Sequence, residues 1–438
     1  MKKPKLSFWQ IWNLSFGFLG VQIGYSLQNS NTSSIFQSLG ADVSTLNYFW
    51  LAAPLAGMII QPIVGMFSDT TWTKMGRRIP FILGGAIIST IALMLMPNCP
   101  TLLSFAPLAM GAFILLFMDS SFNVTMQPFR ALVGDMLDDS QKTKGFVVQT
   151  FLINLGAVIG GILPTIMTAC GVSDAEIPGH VPDHIAYSYY AGGIILLITV
   201  LVTSFKVKEY PPHEFAMYND IKEEDNQPRP SFWHLVKTMP KVMLQLGITQ
   251  FFSWAALFLM WTYLKPAITG VVCDPSGAIL SEGATQSWVG MLNAAYPIPA
   301  CIMAIFMTPI AAKFGNKLVY SICLLFGAAG YFGLTMISNQ YWMLLPMVGI
   351  GIAWAGILAM PYSILSQAVE ARSMGAYMGI FNFTITIPQI IVGLSGGLIL
   401  SKLFSEDASM MILLAGIFMV LAAISVAFVK DKQTVKNN

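Results

Sequence analysis

Runs of about twenty predominantly apolar residues recur along the whole chain, and no other sequence feature constrains its fold as tightly. A helix needs that length to cross a hydrocarbon core of about 30 Å, and within lipid only a helix or a closed barrel satisfies its own backbone. Twelve such runs are read, at 10–30, 44–66, 79–97, 103–133, 145–170, 187–206, 241–264, 287–312, 317–337, 341–368, 376–401 and 408–429. Composition agrees, since 55% of the 438 residues are hydrophobic and only 10% are charged, whereas soluble domains charge about a quarter of theirs. The expectation is an all-α integral membrane protein with twelve transmembrane helices and the lipid bilayer as its surroundings. No nucleic-acid partner is expected.

Orientation follows from where the basic residues fall. Twenty of the 23 Lys and Arg lie at the two ends of the chain or in every second connection, including Lys74, Arg77, Arg78, Lys142, Lys144, Lys313, Lys317 and Arg372. The alternate connections hold only Lys265 and Lys402, and Arg130 falls within a run. By the positive-inside rule both termini are cytoplasmic, as an even number of spans requires. The first run is full length and has no small-residue cleavage site, so it reads as an anchor. The five cysteines show no metal-type spacing, and pairing among Cys99, Cys170 and Cys273 stays open. His180 and His184 stand four apart in GVSDAEIPGHVPDH without a second ligand pair, which favours a solvated loop over a metal site. No metal or cofactor is expected.

The longest charged interruption, about residues 206–241, separates six runs from six. The expected organisation is a six-helix bundle over 1–206, a cytoplasmic linker over 207–240 and a second bundle over 241–438. The halves echo each other. MQPFRAL near the end of run four matches AMPYSIL near the end of run ten, and KMGRR after run two matches KFGNK after run eight. Two pseudo-symmetric bundles of this kind place a substrate site between them near the midplane.

One carboxylate stands out. Of 21 Asp and Glu, only Asp119 lies well inside an apolar run, in LLFMDSSFNVTMQPFRAL, where an ionised carboxylate costs about 2.5 to 3.5 kcal/mol at the bilayer centre. Helical geometry puts Asn123, Gln127 and Arg130 on the same face, with Arg130 about 16 Å along the axis, and Pro128 is expected to kink that face. Desolvation raises a carboxyl pKa and a guanidinium lowers it, so Asp119 can take up a proton in one conformation and release it in another. The plainer alternative is an acid that stays protonated and bonds a neighbouring helix.

Other runs carry amides and aromatics without charge. Gln22, Tyr25, Ser26 and Asn29 form a stripe in run one, joined by Gln250 and Trp254 in run seven, Asn293 and Tyr296 in run eight, Trp354 in run ten, and Asn382, Thr386 and Gln389 in run eleven. Amides hydrogen-bond sugar hydroxyls in both directions and flat rings stack on apolar sugar faces. Each one alone also serves as helix-packing glue. Together they favour an uncharged polar solute over an ion.

QPIVGMFSDTTWTKMGRRIPFILGG, residues 61–85, resembles the loop between helices two and three of major facilitator transporters, with Gly65, Asp69, Gly76, Arg77 and Arg78 at the matching places. The long gap after Asp69 is similar to that of plant sucrose transporters, their animal relatives and the glycoside-pentoside-hexuronide cation symporters. GVQIGYSLQ at 20–28 and NVTMQPFRALVGDM at 123–136 resemble the first-helix and fourth-helix segments of the sucrose and maltose transporter group. The resemblance implies the major facilitator fold and proton-coupled uptake of a disaccharide, with Asp119 as proton acceptor and Arg130 as its partner or a sugar contact. It implies too that Asp69, Gly76, Arg77 and Arg78 gate the carrier as a cytoplasmic latch, although the two arginines equally serve as topology determinants.

Two departures bear on substrate and ion. Run two has no carboxylate where melibiose-type sodium symporters have several, which favours protons because a sodium site needs charged oxygen ligands. MQPFRAL has Phe129 before the arginine where sucrose transporters usually have a small residue, so maltose or another glucoside is as plausible as sucrose. The expectation is therefore a proton–disaccharide symporter working by alternating access, a monomer in a bacterial inner membrane. The rival is a symporter or facilitator for another polar solute, a glucuronide or a peptidoglycan fragment, with sodium as the other coupling ion. Hydrolases and transferases need a nucleophile, metal or paired-carboxylate constellation, and no run contains one.

Overall fold

The computed structural model describes residues 3–40, 52–103, 105–175, 177, 179–219, 221 and 231–430. The beginning of the second apolar run, Lys2, Lys222, Arg229, Lys432 and Lys436 lie outside the described residues. Twelve long helical segments follow one another: α1 Phe8–Ser38, α2 Ala52–Thr70, α3 Ile79–Leu102, α4 Pro107–Met136, α5 Asp139–Ala169, α6 Asp183–Lys206, α7 Lys241–Ile268, α8 Glu282–Phe314, α9 Asn316–Met336, α10 Leu344–Ala368, α11 Ala371–Leu403 and α12 Ser409–Phe428. The last ten are each long and apolar enough to cross a membrane. In α1 that signal is diluted by the polar residues Gln22, Gln28, Asn29 and Asn31.

Local chemistry sets the helix ends. Proline stands in the first two positions of α3 and α4, where its missing N–H would have had no helical partner. Asp138 accepts from Ser140 N at 3.1 Å to cap α5, and Ser281 Oγ accepts from Ala284 N at 3.3 Å to cap α8. Two spans are interrupted. In α8 the helix stops at Ala295 and resumes at Pro297; in α11 it stops at Phe381 and resumes at Phe383, with Asn382 at the break. Large apolar side chains such as Phe113, Ile198, Phe306, Leu394 and Leu398 are more than half exposed, as helices that face lipid on one side require. All five cysteines are free thiols.

The chain forms two compact units. Unit 1 is Met1–Thr238 together with Val369–Asn382, and unit 2 is Met239–Ala368 together with Phe383–Asn438. Unit 1 thus includes, beyond its six helices, the stretch after α6 and the first part of α11. In unit 1, α1 packs on α5 and α6, α3 on α4, and α2 on α4 and on Met374–Phe381. Threonine supplies polar glue: Gly17 N donates to Thr203 Oγ1 at 2.8 Å, and that hydroxyl donates to Asn13 O at 3.0 Å. In unit 2, α9 packs on α10 and α12, and α7 on α12 and Phe383–Leu403.

Candidate functional site

Asp119 sits in the interior of unit 1, 1% exposed on α4. Gln28 Nε2 of α1 donates to its Oδ1, and its Oδ2 has no hydrogen-bond donor. One turn along, Asn123 Nδ2 donates to Asp119 O at 2.8 Å while Asn123 Oδ1 accepts from Gln61 Nε2 of α2 at 2.6 Å. A Cβ added at Gly57 of α2 would lie 3.2 Å from Asn123 Oδ1 and 3.3 Å from Asn382 Nδ2, so those two amides meet over the same helix. The fourth-helix face thus gathers Asp119, Asn123 and Asn382, with Tyr25 nearby, its ring edge-on to Phe122 at 5.8 Å.

Other expected residues are placed differently. Gln127 is fully buried and donates to Gly375 O, so its amide nitrogen is taken up by backbone rather than held open for a solute. Gln22 and Ser26 lie along α5, where a Cβ at Gly156 or Gly160 would meet theirs and where Ser26 Oγ donates to Ala157 O at 3.0 Å. Asn29 is exposed, and Arg130 is half-buried on α4. Gln28, the residue that does reach Asp119, was missed because the helical stripe drawn through Gln22 and Ser26 passes it by.

A second cluster occupies the end of unit 1 that holds the 69–78 loop. Arg78 is fully buried and donates through Nη2 to Asp69 Oδ1, through Nη1 to Ser68 Oγ, and through Nε to Asp135 Oδ2 at 2.9 Å. Arg77 Nη2 pairs with the same Asp135 oxygen at 2.6 Å. Asp69 in turn accepts from Gly375 N at 2.9 Å and Ala376 N at 2.8 Å, satisfying first-turn donors of Met374–Phe381. Arg77 is covered by the Phe215 ring, 4.0 Å away.

Glu209 completes the cluster, its Oε1 accepting from Arg78 N at 2.8 Å and Ile79 N at 2.9 Å at the start of α3. Gly76 has φ +110°, and a Cβ there would strike Glu209, so this turn admits glycine on two counts. Gly65 and Gly375 cross so closely that a Cβ on either would meet the other's backbone. Burial works against the charge on Arg78, but Asp135 and Asp69 outweigh it and hold its pKa above the ordinary arginine value. Burial, reinforced by Arg78 beside it, lowers that of Arg77. Burial raises the Glu209 pKa, the two backbone N–H groups opposing it. Asp69, Gly76, Arg77 and Arg78 were legible in the sequence, whereas Asp135 and Glu209 were not, because an acid at a span end reads like any charged loop residue.

Unit 2 holds an aromatic group. Trp254 of α7 and Trp354 of α10 meet at 5.5 Å and 74°, Trp261 lies 6.2 Å from Trp354, and Tyr296 lies 5.9 Å from Trp354 at 88°. One turn before Trp254, Gln250 is fully buried and its Oε1 accepts from Tyr320 OH at 3.1 Å. Asn293 is half-buried, and its Oδ1 has no hydrogen-bond partner. Trp261 and Tyr320 carry no sequence signal that separates them from ordinary core aromatics. Among the described residues no group of three or more His, Cys, Asp or Glu could hold a metal ion.

A chain with this many apolar helices is a multi-pass membrane protein, and its fold is the twelve-helix major facilitator fold. It is similar to a crystal structure of the E. coli fucose:proton symporter FucP, with TM-score 0.72 at 13% identity over 97% of this chain and 99% of that one. It is likewise similar to the proton:xylose symporter XylE bound to 6-bromo-6-deoxy-D-glucose, with TM-score 0.69 at 14% identity over 97% and 96%. The chain belongs to the MFS/sugar transport protein family, whose model matches residues 35–400. Among its relatives, the sucrose transport protein SUC4 of Arabidopsis thaliana is 24% identical over 86% of this chain and 81% of its own. The general alpha-glucoside permease of Schizosaccharomyces pombe is 26% identical over 57% of this chain and 46% of its own.

Proposed function

We propose that this protein takes up a disaccharide, maltose, sucrose or a related glucoside, together with a proton, by alternating access across the cytoplasmic membrane of its cell, as a monomer with both termini cytoplasmic. The observation that carries the reading is Asp119: a membrane-buried carboxyl with one oxygen bonded to Gln28 and the other lacking a donor. A buried charge short of hydrogen bonds is expensive, and a proton on that oxygen removes it. Loading sugar and proton together then lets the carrier reorient, and losing both on the other side resets it. The names of the relatives support the solute class, since they state sucrose and alpha-glucosides as substrates.

The cluster of Asp69, Arg77, Arg78 and Asp135 supports the gating half of the scheme. It fastens the first part of α11 to α2 through two backbone donors, and opening at the cytoplasmic side requires those bonds to break. Arg130 is the proposed partner of the loaded state. Uptake of labelled maltose and sucrose into vesicles, with and without a pH gradient, tests the reading. Gradient-driven accumulation is expected in the wild type and absent in Asp119→Asn, which retains sugar exchange; accumulation surviving in Asp119→Asn sinks the coupling role.

A further inference from the structure

A glutamine side chain can offer a solute either a donor or an acceptor, and in unit 2 that choice is already made. Gln250 Oε1 accepts from the Tyr320 hydroxyl at 3.1 Å and sits 3.4 Å from Ser253 Oγ, whose proton also reaches Gln250 O at 3.2 Å. Turning the amide over would make the Tyr320 hydroxyl, itself fully buried, the acceptor of this bond and hand its own proton to Ser253. The observed orientation is the one that satisfies the Tyr320 proton directly. The end left over is Nε2, and it has no acceptor although Gln250 is 0% exposed.

The same condition recurs one helical turn away. Trp254 is 8% exposed and its Nε1, which can only donate, also lacks an acceptor. Residues at i and i+4 share a face, so α7 presents two buried, unsatisfied N–H groups on one face, the second on an indole that meets Trp354 and Trp261, with Tyr296 against Trp354. A buried donor without an acceptor is unfavourable and calls for an explanation. The explanation that also uses the rings is a ligand with apolar C–H faces and many oxygen lone pairs, which is a glycosyl group.

We propose that Tyr320 is a positioning residue that locks Gln250 as a hydrogen-bond donor, making the aromatic-walled face of unit 2 a donor-only subsite that reads acceptor oxygens on one glycosyl ring. This rests on the sugar-transport reading above and adds to it the polarity of recognition. The consequence is a chemical preference. Where the subsite donates to a sugar hydroxyl, fluorine, which still accepts weakly, is tolerated, whereas hydrogen is not.

The test uses the full-length protein in proteoliposomes, with uptake of labelled maltose and sucrose competed by monodeoxy and monodeoxyfluoro derivatives of whichever is carried. For at least one hydroxyl position, the fluoro analogue should compete within about threefold of the parent while the deoxy analogue is about tenfold weaker, the factor expected for one lost hydrogen bond. In Tyr320→Phe the amide is released, so that gap should close and KM should rise by roughly fivefold to tenfold with Vmax within about twofold. Trp254→Phe keeps a ring wall but removes its N–H and should raise KM similarly, which keeps the test open if Tyr320→Phe does not fold. Equal competition by fluoro and deoxy analogues at every position, or a gap and KM unchanged in both variants, overturns the proposal while leaving disaccharide transport intact. Failure of the wild type to carry either disaccharide overturns both readings.

Discussion

Arg78 shows how much a single guanidinium does in this protein. Three of its nitrogens reach three different side chains, Ser68, Asp69 and Asp135, a fan that the point charge of lysine cannot reproduce. Arg78→Lys is therefore expected to lower stability by about 1–3 kcal/mol, the penalty for leaving a buried acceptor unmade, visible as a lower Tm in detergent. Arg78 was legible as part of GRR in the sequence, and Asp119 was legible as the one acid in an apolar run. Their partners were not. Gln28 and Asp135 are polar residues of ordinary kind at ordinary places, and only the packing of α1 and of the 69–78 loop against α4 gives them meaning. Gln127 marks the opposite failure, a residue on the right helical face whose amide nitrogen a backbone carbonyl claims first.

At the scale of elements, the short stretch after α6 packs onto unit 1. Glu209 holds the first two N–H groups at the entrance to α3, and Phe215 of the helix Pro212–Tyr218 roofs Arg77. The Glu209 pKa is raised by burial above its ordinary value of 4.5. An acid raised on folding contributes stability that is complete below the unfolded value and is lost as pH climbs through the folded one. Glu209→Gln should thus flatten the fall in Tm that the wild type shows as pH rises from 4.5, while keeping an oxygen for the two N–H groups; a pH series of thermal melts checks it. Span positions were readable because length and hydropathy set them, and most observed helices overlap the expected runs. The breaks at Tyr296 and Asn382 were not, since prolines and glycines inside membrane helices are common and most leave the helix unbroken.

At the scale of the whole molecule, unit 1 runs to Thr238 and unit 2 starts at Met239, within the charged linker, and one later segment joins unit 1. A charged linker and an internal echo pointed to a boundary near 206–241, and Val369–Asn382 is the segment of the later sequence that belongs to unit 1. The physical reason is local: Asp69 supplies two acceptors to Gly375 and Ala376, and glycine on both sides of the crossing lets α2 and Met374–Phe381 come together. Nothing in a hydropathy profile marks such a transfer, because a short length of apolar helix looks alike in either unit.

That transfer has a consequence for the chain as a folding object. A ribosome releases residues 1–238 long before 369–382 exist, so Asp69 and Arg77 must wait for their partners Gly375, Ala376 and Ala371 until nearly the whole polypeptide has been made. Neither a fragment ending at 238 nor one beginning at 239 is then a finished module, and the first should be degraded when made alone. Supplying the two as separate polypeptides in one cell should rescue both by complementation, with steady-state levels on immunoblots well above those of either by itself; equal levels alone and together would show that the borrowed segment is dispensable for assembly.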